Sequence, residues 1–179
     1  MEASDEQLML AYRDGNAGAF DTLYARHKGG LFRYVLRGVK LRAVAEELYQ
    51  EIWILVIEAR NRYKPTARFT TWLYTIAHNR LVDHWRKKEL VAVPAEAEEE
   101  PAASSEADPA QQAQANQALA RFARALAGLP HAQREAFLLH EEGGLTALEI
   151  AAATGSEPEA VKSRLRYAFA KLKAATENG

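Results

Sequence analysis

An all-α fold, with two small helical domains joined by an acidic flexible linker, is what this chain predicts on three observations. Apolar residues recur at helical spacing along most of its length, whereas strand-like alternation is nearly absent. Gly, Ser, Thr and Pro interrupt that periodicity where helices would start and stop. Residues 94–118 hold six acids (Glu96, Glu98, Glu99, Glu100, Glu106 and Asp108) and no Lys or Arg, with Pro94, Pro101 and Pro109 among many Ala, Ser and Gln. Such a composition buries too little apolar surface to pack, and it reads as a tether. The expected division is a first domain over 1–92, a linker over 93–115 and a second domain over 116–179, with helix already starting in the stretch from Ala110 to Ala118.

At 179 residues and 48% apolar content the chain can bury packed cores. No stretch approaches the roughly 20 apolar residues of a membrane span, and the opening MEASDEQLML lacks the shape of a signal peptide. A cytoplasmic protein without direct membrane insertion is expected. The sequence has no cysteine, which excludes disulfides, thiol catalysis and cysteine-ligated zinc. The net charge of −1 conceals a partition: residues 1–93 carry 15 Lys/Arg against 11 Asp/Glu, and residues 119–173 carry 8 against 6. Both domains are mildly basic, and the negative charge is concentrated between them.

In the first domain, Ser4 and Gln7 have capping-box spacing and predict a helix running to about Asp14. Ala17 to His27 and Gly30 to Val39 predict separate helical stretches punctuated by Gly15, Gly18, Gly29 and Gly30. From Arg42 to Arg60 a long helix is expected to bury Ala45, Leu48, Ile52, Leu55 and Ala59. Its other face presents Gln50, Trp53, Ile54 and Ile57 beside Glu46, Glu47 and Glu51. A helix that is apolar on both sides, with carboxylates around an outward Trp, suggests a docking surface for a basic, partly apolar partner. The alternative is that another helix of the domain covers Trp53.

Residues 61–69 form a basic loop interleaved with aromatics, with Arg62, Lys64 and Arg68 as its cations, and a helix from Thr70 to Lys88 follows. That helix carries Trp72, Tyr74, His78, Asn79, His84 and Trp85 and ends in Arg86-Lys87-Lys88. Rings that stack on unpaired bases, cations that track phosphates and a carboxamide that pairs with a base edge suit single-stranded nucleic acid. Leu73, Ile76, Ala77 and Leu81 alone make a thin apolar stripe, so at least one ring is expected in the core. Trp72, Thr75, Asn79 and Arg86 lie away from that stripe and are the nucleic-acid candidates.

In the second domain, Thr146 with Glu149 and Ser156 with Glu159 both have capping-box spacing, and Gly155 sits where a tight inter-helix turn needs positive φ. The result is a helix-turn-helix with a long second helix. Val161, Leu165, Ala168 and Leu172 form its buried stripe. Ser163, Arg166 and Tyr167 point outward, flanked by Lys162, Arg164 and Lys171, which gives donors for base edges and cations for phosphates. The five histidines (His27, His78, His84, His131 and His140) have neither ligand nor triad spacing, and no glycine-rich phosphate loop is present. No catalytic activity, metal or cofactor is expected.

These residues resemble, in order, the bacterial RNA polymerase sigma factors of the extracytoplasmic-function (ECF) group of the sigma-70 family. The resemblance to region 2 rests on AEELYQEIW (Ala45 to Trp53) and FTTWLYTIAHNRLVD (Phe69 to Asp83). That to region 4 rests on Leu129-Pro130, REAFLL (Arg134 to Leu139), Glu149 to Ala151, and VKSRL (Val161 to Leu165). It implies as partners core RNA polymerase, through its β′ coiled coil and β flap, promoter DNA and an anti-sigma factor. Docking on the coiled coil falls on Glu47, Gln50, Glu51 and Ile54. Minus-ten recognition and melting fall on the helix starting at Trp72 and its preceding loop, with Asn79 matching the position that lines a flipped-base pocket. Minus-thirty-five readout falls on Lys162, Ser163, Arg164 and Arg166. The tether is implied to thread toward the RNA exit channel, where its carboxylates resemble RNA in charge. The competing reading is a polymerase-independent helix-turn-helix regulator, which would leave the aromatic-basic cluster of residues 61–88 without a task.

Overall fold

The computed structural model describes residues 1–90 and 109–177, and among these every regular element is helical. The helices are α1 (Asp5–Arg13), α2 (Ala17–Val39), α3 (Arg42–Ala59), α4 (Phe69–Leu90), α5 (Pro109–Ala127), α6 (His131–Gly143), α7 (Ala147–Thr154) and α8 (Pro158–Glu177), with a 3-10 turn at Arg60–Arg62. Of the expected linker, residues 93–108 lie outside the described residues, and from Pro109 the chain is helical.

Local chemistry sets most boundaries. Ser4 and Gln7 exchange capping-box hydrogen bonds at the start of α1, and Asn16 caps α2 through Ala19 N. One expectation fails: α2 runs unbroken through Gly29 and Gly30. A helical glycine costs about 1 kcal/mol against alanine, which does not by itself end a helix that is packed on both sides. What Gly30 provides is proximity, since a Cβ there would lie 2.8 Å from the Glu142 carbonyl oxygen of α6. The sharp turn comes instead at Lys40, the only described non-glycine residue with positive φ (65°).

Helices α2, α3 and α4 enclose the first core with Leu23, Leu31, Val35, Ala45, Leu48, Ile52, Leu73 and Leu81, all buried. In the second, α6, α7 and α8 bury Leu139, Ile150, Val161, Ala168 and Leu172. The two cores are continuous, because α6 and α7 lie against α2 and α4. Polar groups line that junction. Glu135 Oε1 accepts from the Tyr34 hydroxyl (3.0 Å) and bonds His78 Nδ1, while His131 Nε2 stands 3.8 Å from its second oxygen. The Tyr74 hydroxyl donates to the Glu142 carbonyl (3.1 Å), and Arg33 Nε donates to the Glu142 carboxylate (2.8 Å). Trp85, considered above as a base-stacking ring, is a junction anchor. Its indole donates to Gly38 O (3.3 Å), and its ring meets His131 edge-on at 4.3 Å.

Candidate nucleic-acid and partner-binding surfaces

The stripe that α3 buries is Ala45, Leu48, Ile52, Trp53 and Val56, which corrects two expectations. Trp53 does not point outward: it is 5% exposed, enclosed by Phe20 (centroids 5.8 Å), Tyr24 (5.1 Å) and Tyr49 (6.3 Å). Leu55, placed above in the core, is exposed, and Ala59 is only half-buried. The physical reason is that α3 is apolar nearly all round, so periodicity admits two stripes and only the aromatics of α2 select one. The surface that remains presents Glu47, Gln50, Ile54 and Leu55. Ile54, at 52% exposure, is its apolar centre. Glu51 is half-buried and paired with Arg80 Nε of α4.

Helix α4 opens at Phe69, whose N–H donates to the Glu6 carboxylate of α1 (2.7 Å). Burial would raise the Glu6 carboxyl, but this bond and its other hydrogen bonds outweigh burial and hold it below its ordinary value. Tyr63 is buried and packs edge-on against Trp72 (5.0 Å), and its phenol is pushed up to about 12 by burial and by the nearby Glu6 and Asp5. Trp72 is therefore half-buried, supported by Tyr63 and Phe69 (5.9 Å). Thr75 is half-buried with its hydroxyl donating to Thr71 O (2.6 Å). Asn79, Arg86, Arg62 and Lys64 are exposed. Arg68 is exposed but engaged across the junction, donating to Gly144 O (3.3 Å) and the Glu149 carboxylate (3.3 Å).

In the helix-turn-helix, Thr146 and Glu149 form a complete capping box, and Gly155 closes α7 in the left-handed region (φ 65°). Burial would raise the Glu149 carboxyl, but the Thr146 hydrogen bonds and the Arg68 charge outweigh it and lower it. The second expected box is not the arrangement found. Helix α8 opens at Pro158, a favoured first position. Ser156 Oγ instead accepts from Thr154 Oγ1 (3.0 Å) and Arg164 Nη1 (2.9 Å), while Glu159 takes Lys162 (2.7 Å). On α8, Val161, Ala168 and Leu172 are buried and Leu165 is half-buried. Lys162, Arg166, Tyr167 and Lys171 are exposed, with Ser163 and Arg164 half-buried. The Arg166 guanidinium lies over the Tyr167 ring at 5.5 Å.

The structure thus leaves Lys162, Arg166, Tyr167 and Lys171 of α8 exposed with Ser163 and Arg164 half-buried beside them, and on α4 leaves Asn79 and Arg86 exposed with Trp72 and Thr75 half-buried. Arg80 and Glu135 stand among these groups without having been singled out from the sequence. Their partners Glu51, His78 and Tyr34 lie 29, 57 and 101 residues away in the chain, beyond the reach of local spacing.

Residues 23–90 match the family model for sigma-70 region 2, and residues 119–172 match that for sigma-70 region 4. The chain is 34% identical over 174 residues to RNA polymerase sigma factor CarQ of Myxococcus xanthus, an alignment covering 92% of this chain and 93% of the relative. It is 32% identical to the ECF RNA polymerase sigma factor RpoE of Cereibacter sphaeroides, covering 93% and 91%. Among solved structures it resembles CnrH in complex with the cytosolic domain of CnrY (TM-score 0.69, 25% identity, 98% of both chains). It shares its fold with the sigma factor RpoE bound to the anti-sigma factor NepR from Bartonella quintana (TM-score 0.71, 22% identity, 89% of this chain and 97% of the other).

Proposed function

Since this chain belongs to the ECF group of the sigma-70 family, we propose that its two helical domains divide promoter recognition between them while riding on core RNA polymerase. The protein is a sigma factor, which binds core polymerase and directs it to promoters to initiate transcription. The observation that carries this reading is the pair of sigma-70 regions, in order, in one chain. In the first domain (1–92), Glu47, Gln50, Glu51 and Ile54 dock on the β′ coiled coil. Arg62, Lys64, Arg68, Trp72, Thr75, Asn79 and Arg86 bind and melt the minus-ten element. In the second (116–179), Lys162, Ser163, Arg164, Arg166, Tyr167 and Lys171 address the minus-thirty-five element. No catalytic step is assigned to the chain, which works in the cytoplasm beside its polymerase. Two similar solved proteins are complexes, one with an anti-sigma factor, and a protein of that kind is the expected regulator here.

The closed arrangement bears on this reading. Two promoter elements about 25 base pairs apart lie roughly 85 Å apart along B-DNA. A compact chain of this length spans roughly 40 Å. Helices α6 and α7 must therefore leave α2 and α4 before both elements are read, which also frees Arg68 from Glu149.

Run-off transcription with core polymerase on a promoter library tests the function. Specific starts that depend on this protein support it. Tight protection of a palindromic duplex without polymerase would establish the rival regulator instead. Within the same assay, Arg166→Ala costs about 1–3 kcal/mol of promoter recognition if the side chain reads a base, at the upstream element only. An unchanged upstream preference would remove α8 from the groove. Asn79→Ala impairs opening, read by permanganate reactivity, because pocket contacts must offset the few kcal/mol of extruding a base. Core binding stays intact, and equal loss of both would make Asn79 merely structural.

A further inference from the structure

We propose that Arg80 is a further DNA-backbone contact, held in check by the polymerase-facing carboxylate of Glu51 until core polymerase takes that carboxylate. The inference rests on the docking role assigned above to α3. Arg80 follows Asn79 directly and stands on the α3 flank of the DNA-facing row Trp72, Thr75, Asn79 and Arg86, about 100° around α4 from Asn79. Its Nε donates to Glu51 Oε2. The pair sits at the rim of the α3–α4 packing, with side chains 19% and 38% exposed, so exchanging its partners does not open the core.

Both helices repeat the arrangement one turn on. Glu47 precedes Glu51 by four residues and His84 follows Arg80 by four, so both carboxylates of α3 lie near enough to act on His84 electrostatically. Burial, then the Arg80 and Lys88 charges, hold His84 below its ordinary range against the pull of Glu47 and Glu51. These causes disfavour the charged form of His84, and Arg80 is the donor that faces Glu51. A basic partner docking on Glu47, Gln50, Glu51 and Ile54 competes for that same carboxylate. Once Glu51 turns to the partner, the Arg80 guanidinium is left with fixed charge, free donors and a phosphate backbone running past its neighbour Asn79. Polymerase docking and promoter grip are thus linked through one exchanged ion pair, and a free chain keeps that cation out of use.

The test is a double-variant cycle on the full-length protein without polymerase, reading anisotropy of a labelled single-stranded oligonucleotide of mixed sequence across a salt titration. Glu51→Gln is expected to tighten binding about threefold to tenfold and to steepen the dependence of log K on log salt by about 0.7, the signature of one added phosphate contact on a single strand. Arg80→Gln alone leaves free-chain binding unchanged, and the double variant binds like Arg80→Gln. With core polymerase bound, Arg80→Gln flattens the salt dependence of the promoter complex by about one contact. A gain from Glu51→Gln that persists in the Arg80→Gln background reflects only lost negative charge and overturns the proposal, as does no gain at all. Should Arg80→Gln fail to fold by thermal melt, Arg80→Met, which keeps the apolar stem but has no charge or donors, replaces it and must abolish the gain from Glu51→Gln. Failure of the wild-type chain to bind core polymerase would sink the docking role itself, whereas intact core binding with a null cycle sinks only the exchange.

Discussion

Trp53→Ala is expected to destabilise the protein by about 3–5 kcal/mol, as truncation of a large buried aromatic does. The ring is held by Phe20 edge-on and by Tyr24 and Tyr49 at tilted or edge contacts. An alanine would leave a cavity between α2 and α3 that those three rings cannot fill without leaving their own contacts. Thermal melting should fall by roughly 10 °C for a cooperative unit of this size. Ile54→Ser, one residue on and 52% exposed, gives the opposite pattern: an unchanged melt and weakened binding to core polymerase. A Trp53→Ala protein that melts like wild type yet loses polymerase would return Trp53 to the docking surface and refute the packing described here.

Glu135→Ala carries the second large effect, about 3 kcal/mol, because it removes the acceptor shared by Tyr34 and His78 at a nearly closed junction. Tyr34 is 1% exposed, so its hydroxyl would lose its partner with little access to water. The loss falls on the contact between the domains, so the radius of gyration in solution should rise along with the drop in melting temperature. An unchanged radius and melt would show that Glu135 does not hold the domains together. The same bond predicts an alkaline response. Burial foremost, then the Glu135 charge, raise the Tyr34 phenol above its ordinary value of 10.0. An acid whose folded pKa is raised stabilises the fold fully below its unfolded pKa, and that contribution declines as pH climbs through and above about 10. The junction should therefore loosen above about pH 10, a loss measurable by the Trp85 emission beside His131.

Local chemistry made much of this legible in advance. The Ser4–Gln7 and Thr146–Glu149 boxes and the Gly155 turn each join groups only a few residues apart, so their geometry follows from spacing alone. The exposed row on α8 was legible for a related reason, since a polar face opposite Val161, Ala168 and Leu172 is set by helical period. Where periodicity was ambiguous the reading failed. Helix α3 offers two apolar stripes, and the choice of Trp53 over Leu55 depends on aromatics some 30 residues earlier. Ser156 has the spacing of a cap yet holds Arg164, because a proline at the first helical position displaced the boundary.

The amino-acid sequence by itself determined the all-helical class, the two-region order and the exposed polar side of α8, since these depend on intrinsic helix period, capping chemistry and residue type. Only the tertiary structure decided which α3 face is sealed, why Gly30 is a glycine, and that Glu51 is tied to Arg80 and Arg68 to Glu149. Those are contacts between groups distant in the chain, chosen by the summed packing of all the helices, and no local spacing encodes such a sum.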